Sequence, residues 1–327
     1  MSKIFDVTAL GELLIDFTPS YTENCKNEVY EANPGGAPAN VLTVIANMGY
    51  RAALISKVGK DHFGSNLIRK MAEIGVNTDS VIIDHEIHTT LAFVSLNDDG
   101  NRSFSFCRNP GADCVLTRDE IVPHSISESR IFHFGSLSLT NEPIRAATNA
   151  AIQIAKDNGL IISFDPNVRL NLWRSKEEAL QQITLHLNDC DILKISDEEC
   201  EFLTGEKDIE TGARLLIDQY HIALVFITMG ADGAYYCSSR FNGIVATEKV
   251  KAVDTTGAGD AFMGAVLTRI LEANVDLHQL TEEQIKDIVL FANACGTLTT
   301  LNRGGIPAIP TREDLKEYYQ MLKNKKI

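Results

Sequence analysis

Four apolar runs decide the fold: Arg130-Ile-Phe-His-Phe134, Leu160-Ile-Ile-Ser-Phe164, Asp191-Ile-Leu-Lys-Ile195 and Ile222-Ala-Leu-Val-Phe-Ile-Thr228. Each is short and rich in Ile, Leu, Val and Phe, as in strands buried on both faces. Between them, Pro143 to Asn158, Lys176 to Leu187 and Ala213 to Tyr220 carry apolar residues at helical spacing. Strands alternating with helices build a mostly parallel sheet covered on both sides. Phe5 to Leu10 and Ala53 to Val58 read as further strands, the second followed by a helix from about Gly64 to Ile74. Helices from Gly257 and over Glu282 to Leu301 complete the body. The expectation is a three-layer α/β/α domain over residues 1–327.

One region breaks this rhythm. Thr89 to Leu96 and Arg102 to Arg108 are β-rich and joined by Asn97-Asp98-Asp99-Gly100, a turn signal. Phe104 and Phe106 alternate with small polar residues, and Phe17 to Asn33 is a second irregular segment. These pieces, about 13–33 and 88–113, predict a small β lid over the main sheet.

Bulk composition excludes several classes. The chain has 327 residues, 44% of them hydrophobic, enough for a sizeable core, and its net charge of −14 argues against non-specific nucleic-acid or acidic-membrane binding. Met1 to Val7 lacks a signal-peptide core, and no run of about 18 apolar residues occurs. Cys25, Cys107, Cys114, Cys190, Cys200, Cys237 and Cys295 form no C-x-x-C pair, and the eight histidines are scattered. This usage predicts reduced thiols, no zinc site and a cytoplasmic location.

The chemistry concentrates in Asp254-Thr-Thr-Gly-Ala-Gly-Asp-Ala-Phe-Met-Gly264. Gly257, Ala258 and Gly259 open a helix whose unpaired N–H groups and dipole suit an anion. Asp260 beside an anion site needs a reason to be there, and removal of a proton from an attacking hydroxyl is one. The pattern also fits a Gly-rich helix cap.

Pro34 to Asn40 precedes another helix. Gly35 and Gly36 allow close backbone approach, and Asn40 both donates and accepts, as a polyhydroxy ligand requires. Asp16 after Leu13-Leu14-Ile15 suits vicinal hydroxyls or an edge-strand charge. Asp165 to Arg169 follows a strand, where ligands of open α/β sheets gather, and Arg169 suits a carboxylate or phosphate. Arg108 ends a lid strand, placed to close on a substrate or to remain a solvated charge. Thr228-Met-Gly230-Ala-Asp-Gly233 has the make-up of a phosphate loop or a tight turn; it is not a Walker A sequence.

In this order, Gly-Gly-x-x-x-Asn at 35–40 and Asp-Thr-Thr-Gly-Ala-Gly-Asp at 254–260 resemble the ribokinase-like, PfkB-type sugar kinases over almost the whole chain. Gly11 to Phe17, Phe106 to Asp113, Gly135 to Leu139, Asp165 to Trp173 and Lys194 to Glu199 are most similar to the fructokinase branch. The resemblance implies a Rossmann-like α/β/α domain with a β lid that often mediates dimerisation. It implies ATP-dependent, Mg²⁺-assisted phosphorylation of a sugar hydroxymethyl group, here the 6-hydroxyl of fructose. Asp260 matches the family's base, and the amides of Gly257, Ala258 and Gly259 its anion hole. Asp16, Gly35, Gly36, Asn40, Arg108 and Arg169 match the sugar side. Ser196, Glu199, Thr228, Gly230, Gly233 and Asn293 match the nucleotide side. A K⁺ site would involve Asp254 and Thr256 with carbonyls near Thr299, Asn302 and Gly304. Leu14 stands where ribokinases carry Asn, which argues against ribose. Ser196 replaces an Asn common in ribokinases, Cys107 an aromatic, and Thr299 a smaller Ala. Alternatives left open are 2-keto-3-deoxygluconate, another sugar or a riboside as substrate, and a non-catalytic sugar sensor.

Overall fold

The computed structural model describes residues 3–20, 27–96 and 102–325. The four apolar runs become four adjacent parallel strands, β8 (Ile131–Gly135), β9 (Ile161–Asp165), β10 (Ile192–Ser196) and β11 (Leu224–Thr228). On one side β1 (Val7–Leu10), β4 (Ala52–Gly59) and β5 (Val76–Asp84) continue the sheet in parallel. On the other, β12 (Ala234–Cys237) and β13 (Asn242–Val245) close it antiparallel. The order is β13-β12-β11-β10-β9-β8-β1-β4-β5.

Successive side chains of a strand face opposite sides. Accordingly Leu224 and Phe226 enter one core, while Val225 and Ile227 enter the other. The first core is covered by α1 (Ala37–Asn47), α2 (His62–Ile74), α8 (Ala258–Ala273), α9 (Glu282–Thr299) and α10 (Arg312–Lys325). The second lies under α3 (Pro123–Ser127), α4 (Ile144–Asp157), α5 (Lys176–Leu187), α6 (Asp197–Thr204) and α7 (Ile209–Tyr220).

Caps explain where the expected helices begin. Ser175 accepts from the Glu178 amide at the start of α5, and Thr281 and Gln284 form a reciprocal capping box on α9. Helix α7 starts four residues ahead of the expected Ala213, because Asp208 caps it through the Thr211 amide at 2.8 Å. The elements β5, β13, α6 and α10 were not anticipated. The last is a C-terminal helix anchored by Leu315, Tyr319 and Leu322.

The irregular segments form a separate four-stranded sheet, ordered β3 (Val29–Gly35), β2 (Leu14–Ser20), β6 (Leu91–Leu96) and β7 (Arg102–Cys107). The expected turn at 97–100, and 21–26 of the first segment, lie outside the described residues. Phe17 of β2 stacks on Phe93 of β6 at 4.9 Å and meets Phe63 of α2 edge-on at 5.7 Å, tying this sheet to the body. Among the described residues no helix is long and apolar enough to cross a membrane, and six cysteines are free thiols. The fold brings the carboxyl ends of β1, β9, β10 and β11, the start of α8 and the small sheet around one cleft.

Candidate active site

Helix α8 begins at Gly257, whose φ of +77° favours glycine; a β-carbon there would also lie 3.3 Å from both Asn40 Nδ2 and Gly305 Cα. Ala258, Gly259 and Asp260 fill the first turn, where backbone N–H groups have no partner within the helix. The Ala258 amide is directed at the Thr255 carbonyl at 3.3 Å, so the Gly257 and Gly259 amides are the freer part of the expected anion hole.

Asp260 is buried. Its Oδ2 accepts from Asn40 Nδ2 at 2.7 Å and its Oδ1 from Asn167 Nδ2 at 3.3 Å. A carboxylate only accepts, which fixes the orientation of both amides. Asn40 Oδ1 is buried without a donor. Burial and the nearby Asp165 charge push the Asp260 carboxyl up to about 6, against the opposing pull of Lys194, Asn40 and Arg169. At neutral pH it is mostly ionised, yet more basic than an ordinary carboxylate.

A cavity of about 250 Å³ opens in front of Asp260. Of the residues expected on the sugar side, Asp16, Gly36, Asn40 and Arg169 line it, together with Glu12, Leu14, Phe106, Leu137, Asn167 and Lys194. Burial, followed by the Asp260 charge, pushes the Asp16 carboxyl up to about 7. Burial also pushes Glu12 up to about 7, although its Oε1 accepts from the Ala37 amide at 2.7 Å. Such carboxyls both donate and accept near neutral pH, so the wall can match the mixed polarity of sugar hydroxyls. Gly35 stands behind this wall: a β-carbon on it would lie 2.3 Å from Asp16 Oδ2, so a side chain there would displace the carboxylate.

A second cavity, of about 260 Å³, is lined by the expected Thr228, Gly230, Gly233 and Asn293 and by Ala231, Val250, Ala252, Ala258 and Phe262. Asn293 Nδ2 donates to the Val245 carbonyl at 2.8 Å and the Ala246 carbonyl at 3.3 Å, holding one wall in place. This slot is far less polar than the first cavity and suits a flat heteroaromatic ring. The two cavities share Thr255 and Gly259. A group passing between them crosses the start of α8 beside Asp260.

The sequence matches the pfkB family carbohydrate kinases over residues 5–312. The chain belongs to this family. It is 42% identical to a probable fructokinase-2 of Arabidopsis thaliana over 307 residues, 93% of each chain. Its structure is similar to a Vibrio cholerae fructokinase double mutant holding fructose, ADP and a potassium ion: TM-score 0.88, 34% identity, covering 98% of this chain and 99% of that one. An Escherichia coli protein described as a ribokinase II, in complex with ATP and Mg²⁺, aligns with a TM-score of 0.84 at 27% identity, covering 97% of this chain and 100% of that one. The protein is thus a carbohydrate kinase of the ribokinase fold.

Besides Gly35, three residues expected on the sugar and nucleotide sides of this kinase, Arg108, Ser196 and Glu199, line neither cavity. Arg108 is buried beneath the cleft, and its guanidinium is spent on Asp113 (Nε at 2.8 Å), the Thr140 hydroxyl (3.0 Å) and the Leu137 carbonyl (3.0 Å). Ser196 and Glu199 form the capping box of α6, and Glu199 also accepts from the Val168 amide at 2.6 Å. Glu199 thereby braces the loop that carries Asn167 and Arg169. In the expected cation group, Asp254 accepts from the amides of Thr256 (2.7 Å) and Gly304 (3.1 Å), joining the two loops. The Thr299 hydroxyl is given to the Cys295 carbonyl at 2.9 Å, and Asn302 is exposed.

Sequence reasoning missed Glu12, Asn167, Thr255 and Lys194. Asn167 was readable, since it follows β9 in the segment that singled out Arg169. Lys194 was hidden inside an apolar strand, where only the neighbouring β9 and α8 reveal its surroundings.

Proposed function

We propose that this kinase transfers the terminal phosphoryl group of ATP to the 6-hydroxyl of fructose, with Asp260 as the general base. The observation that carries the reading is the meeting of a polar and an apolar cavity at Gly259, beside a buried carboxylate of raised basicity. The sugar occupies the polar cavity, held by Asp16, Asn40 and Arg169. Leu14, in its wall, offers the sugar an apolar contact where an Asn would bind a hydroxyl. The adenine occupies the apolar slot, with the phosphates directed along Thr228 and Gly230 toward α8.

Asp260 takes the proton as the hydroxyl oxygen bonds to phosphorus and the bond to ADP breaks. Asn40 and Asn167 keep the carboxylate aimed, and the Gly257 and Gly259 amides receive negative charge on the moving oxygens. The small sheet, through Asp16 and Phe106, acts as a lid that keeps water from the nucleotide. The described residues contain no group of three or more His, Cys, Asp or Glu side chains able to hold a metal ion. That fits Mg²⁺, which is commonly held by substrate phosphates rather than by a protein cage, and which would neutralise their charge. One buried carboxylate, Asp254, with threonine and carbonyl oxygens nearby, suits a monovalent cation such as K⁺. Bound there, it would draw the 254–256 and 304 loops together and steady the start of α8.

A coupled ADP-release assay over fructose, glucose, ribose, an aminoimidazole riboside and 2-keto-3-deoxygluconate tests the reading. Fructose should give the highest kcat/KM. Turnover of another sugar with none of fructose would overturn the substrate, and sugar binding without ADP production the reaction.

A further inference from the structure

Among the described residues two ion pairs are buried near the cleft, and they are built differently. Arg108 spends its donors on Asp113, Thr140 and Leu137, as a structural brace does. Lys194 makes one bond, to Asp165 Oδ2 at 3.0 Å, and Asp165 is the sole partner the structure gives its ammonium among the described residues. An ammonium has three donors. Asp165 Oδ1 is likewise buried without a partner. A buried pair with unspent hydrogen-bonding capacity is costly, and such a defect needs an explanation.

Its position supplies one. Lys194 lines the polar cavity beside Asp260. A β-carbon built on Gly259 would lie 2.8 Å from Lys194 Nζ, so the ammonium stands against one of the two residues that both cavities share. Burial presses Lys194 toward neutrality, but the Asp165, Glu199 and Asp260 carboxylates more than offset it, and the group stays charged.

We infer that Lys194 is a catalytic residue that donates a hydrogen bond to the phosphoryl group in transit, with Asp165 as its fixed counter-ion. Lys194 keeps its protons throughout: the proton of the sugar hydroxyl goes to Asp260, and ADP leaves with the electron pair of the broken P–O bond. The ammonium adds a full positive charge where the Gly257 and Gly259 amides offer only partial ones. Because the hydrogen bond strengthens as the phosphoryl group moves, it acts on kcat more than on ground-state affinity. The inference rests on the kinase reading but not on the choice of sugar, so wild-type turnover in the same assay separates the two.

The experiment compares wild type with Lys194→Gln and Lys194→Arg, and with the neutral pair Asp165→Asn/Lys194→Gln in case the single Gln variant leaves Asp165 charged and the chain unfolded. Lys194→Gln and the neutral pair should lose about 10²–10³-fold in kcat. The KM values for sugar and ATP should move less than about threefold, with Lys194→Arg retaining more activity than either. The loss should persist at pH 8.5, where Asp260 is ionised in every variant. Binding of ADP with aluminium fluoride and the sugar should weaken in parallel with kcat, while binding of ADP alone should not. Recovery of kcat at pH 8.5 would reduce Lys194 to a modulator of Asp260 and overturn the proposal. So would a kcat within threefold of wild type, or a parallel loss of ADP affinity.

Discussion

The two cavities are nearly equal in size, about 250 and about 260 Å³, and opposite in chemistry. The first gathers Glu12, Asp16, Asp260, Arg169 and Lys194 in its wall; the second is built mainly from Ala, Val, Gly and Phe with threonine hydroxyls. The polar cavity concentrates buried carboxyls at a cost in stability, whereas the apolar slot resembles a core with one face left open. The difference teaches where specificity and chemistry reside. A charged wall discriminates hydroxyl patterns and moves protons; an apolar slot holds a ring and does little else.

The largest expected effect comes from the charged side. Asp260→Asn keeps the shape and one of the two acceptors that Asn40 and Asn167 use but removes the base, and should lower kcat by about 10²–10⁴-fold. Equal damage from a substitution in the apolar slot would break the contrast. Next, Arg108→Met leaves Asp113 buried without its counter-ion, with only the Thr90 hydroxyl still donating to it among the described residues. Thermal or urea unfolding should show a loss of about 3–5 kcal/mol, with little change in fructose KM, because Arg108 does not line the cavity.

Third, the two properties of the charged wall should respond to pH in opposite directions. Asp260 must be ionised to act, so kcat/KM should fall about tenfold per pH unit below about 6. The stability sign is reversed. Glu12, Asp16 and Asp260 bind protons more tightly folded, at about 7, about 7 and about 6, than at their ordinary 4.5, 3.8 and 3.8. Their contribution to stability is therefore present at low pH and lost as pH rises through these folded values. The Tm of Asp260→Asn relative to wild type should rise by a few degrees between pH 5 and pH 8. A Tm difference independent of pH would contradict the raised basicity. The smallest effect belongs to the apolar slot. Asn293→Ala frees the Val245 and Ala246 carbonyls and should raise the KM for ATP about fivefold with fructose KM unchanged.

The parallel sheet was legible because its strands are continuous apolar runs separated by helical spacing. Helix α6 was not anticipated, although the S-x-x-E spacing of Ser196 and Glu199 is a helix-start signature and the two residues form its capping box. Strand β5 was harder: Val76–Asp84 mixes polar and apolar residues without a clean period, and its pairing with β4 shifts register. In the site, Asp260 and Asn40 were singled out because glycines shortly before them mark close approach, and Asp16 because a carboxylate ends an apolar run there. Arg108 was misjudged because a charge at the end of a lid strand looks exposed until Asp113 and Thr140 are seen folded over it. Lys194 was invisible because a lysine in an apolar strand has no local signature of a buried counter-ion.

The central claim is that chemistry occurs where the two cavities meet, at Asp260. A crystal structure with fructose and a non-hydrolysable ATP analogue tests it most directly. The account predicts the fructose 6-hydroxyl within about 2.6–3.2 Å of an Asp260 oxygen, facing the terminal phosphate across Gly259. A sugar bound with that hydroxyl turned away from Asp260, or a nucleotide seated outside the apolar slot, would contradict it.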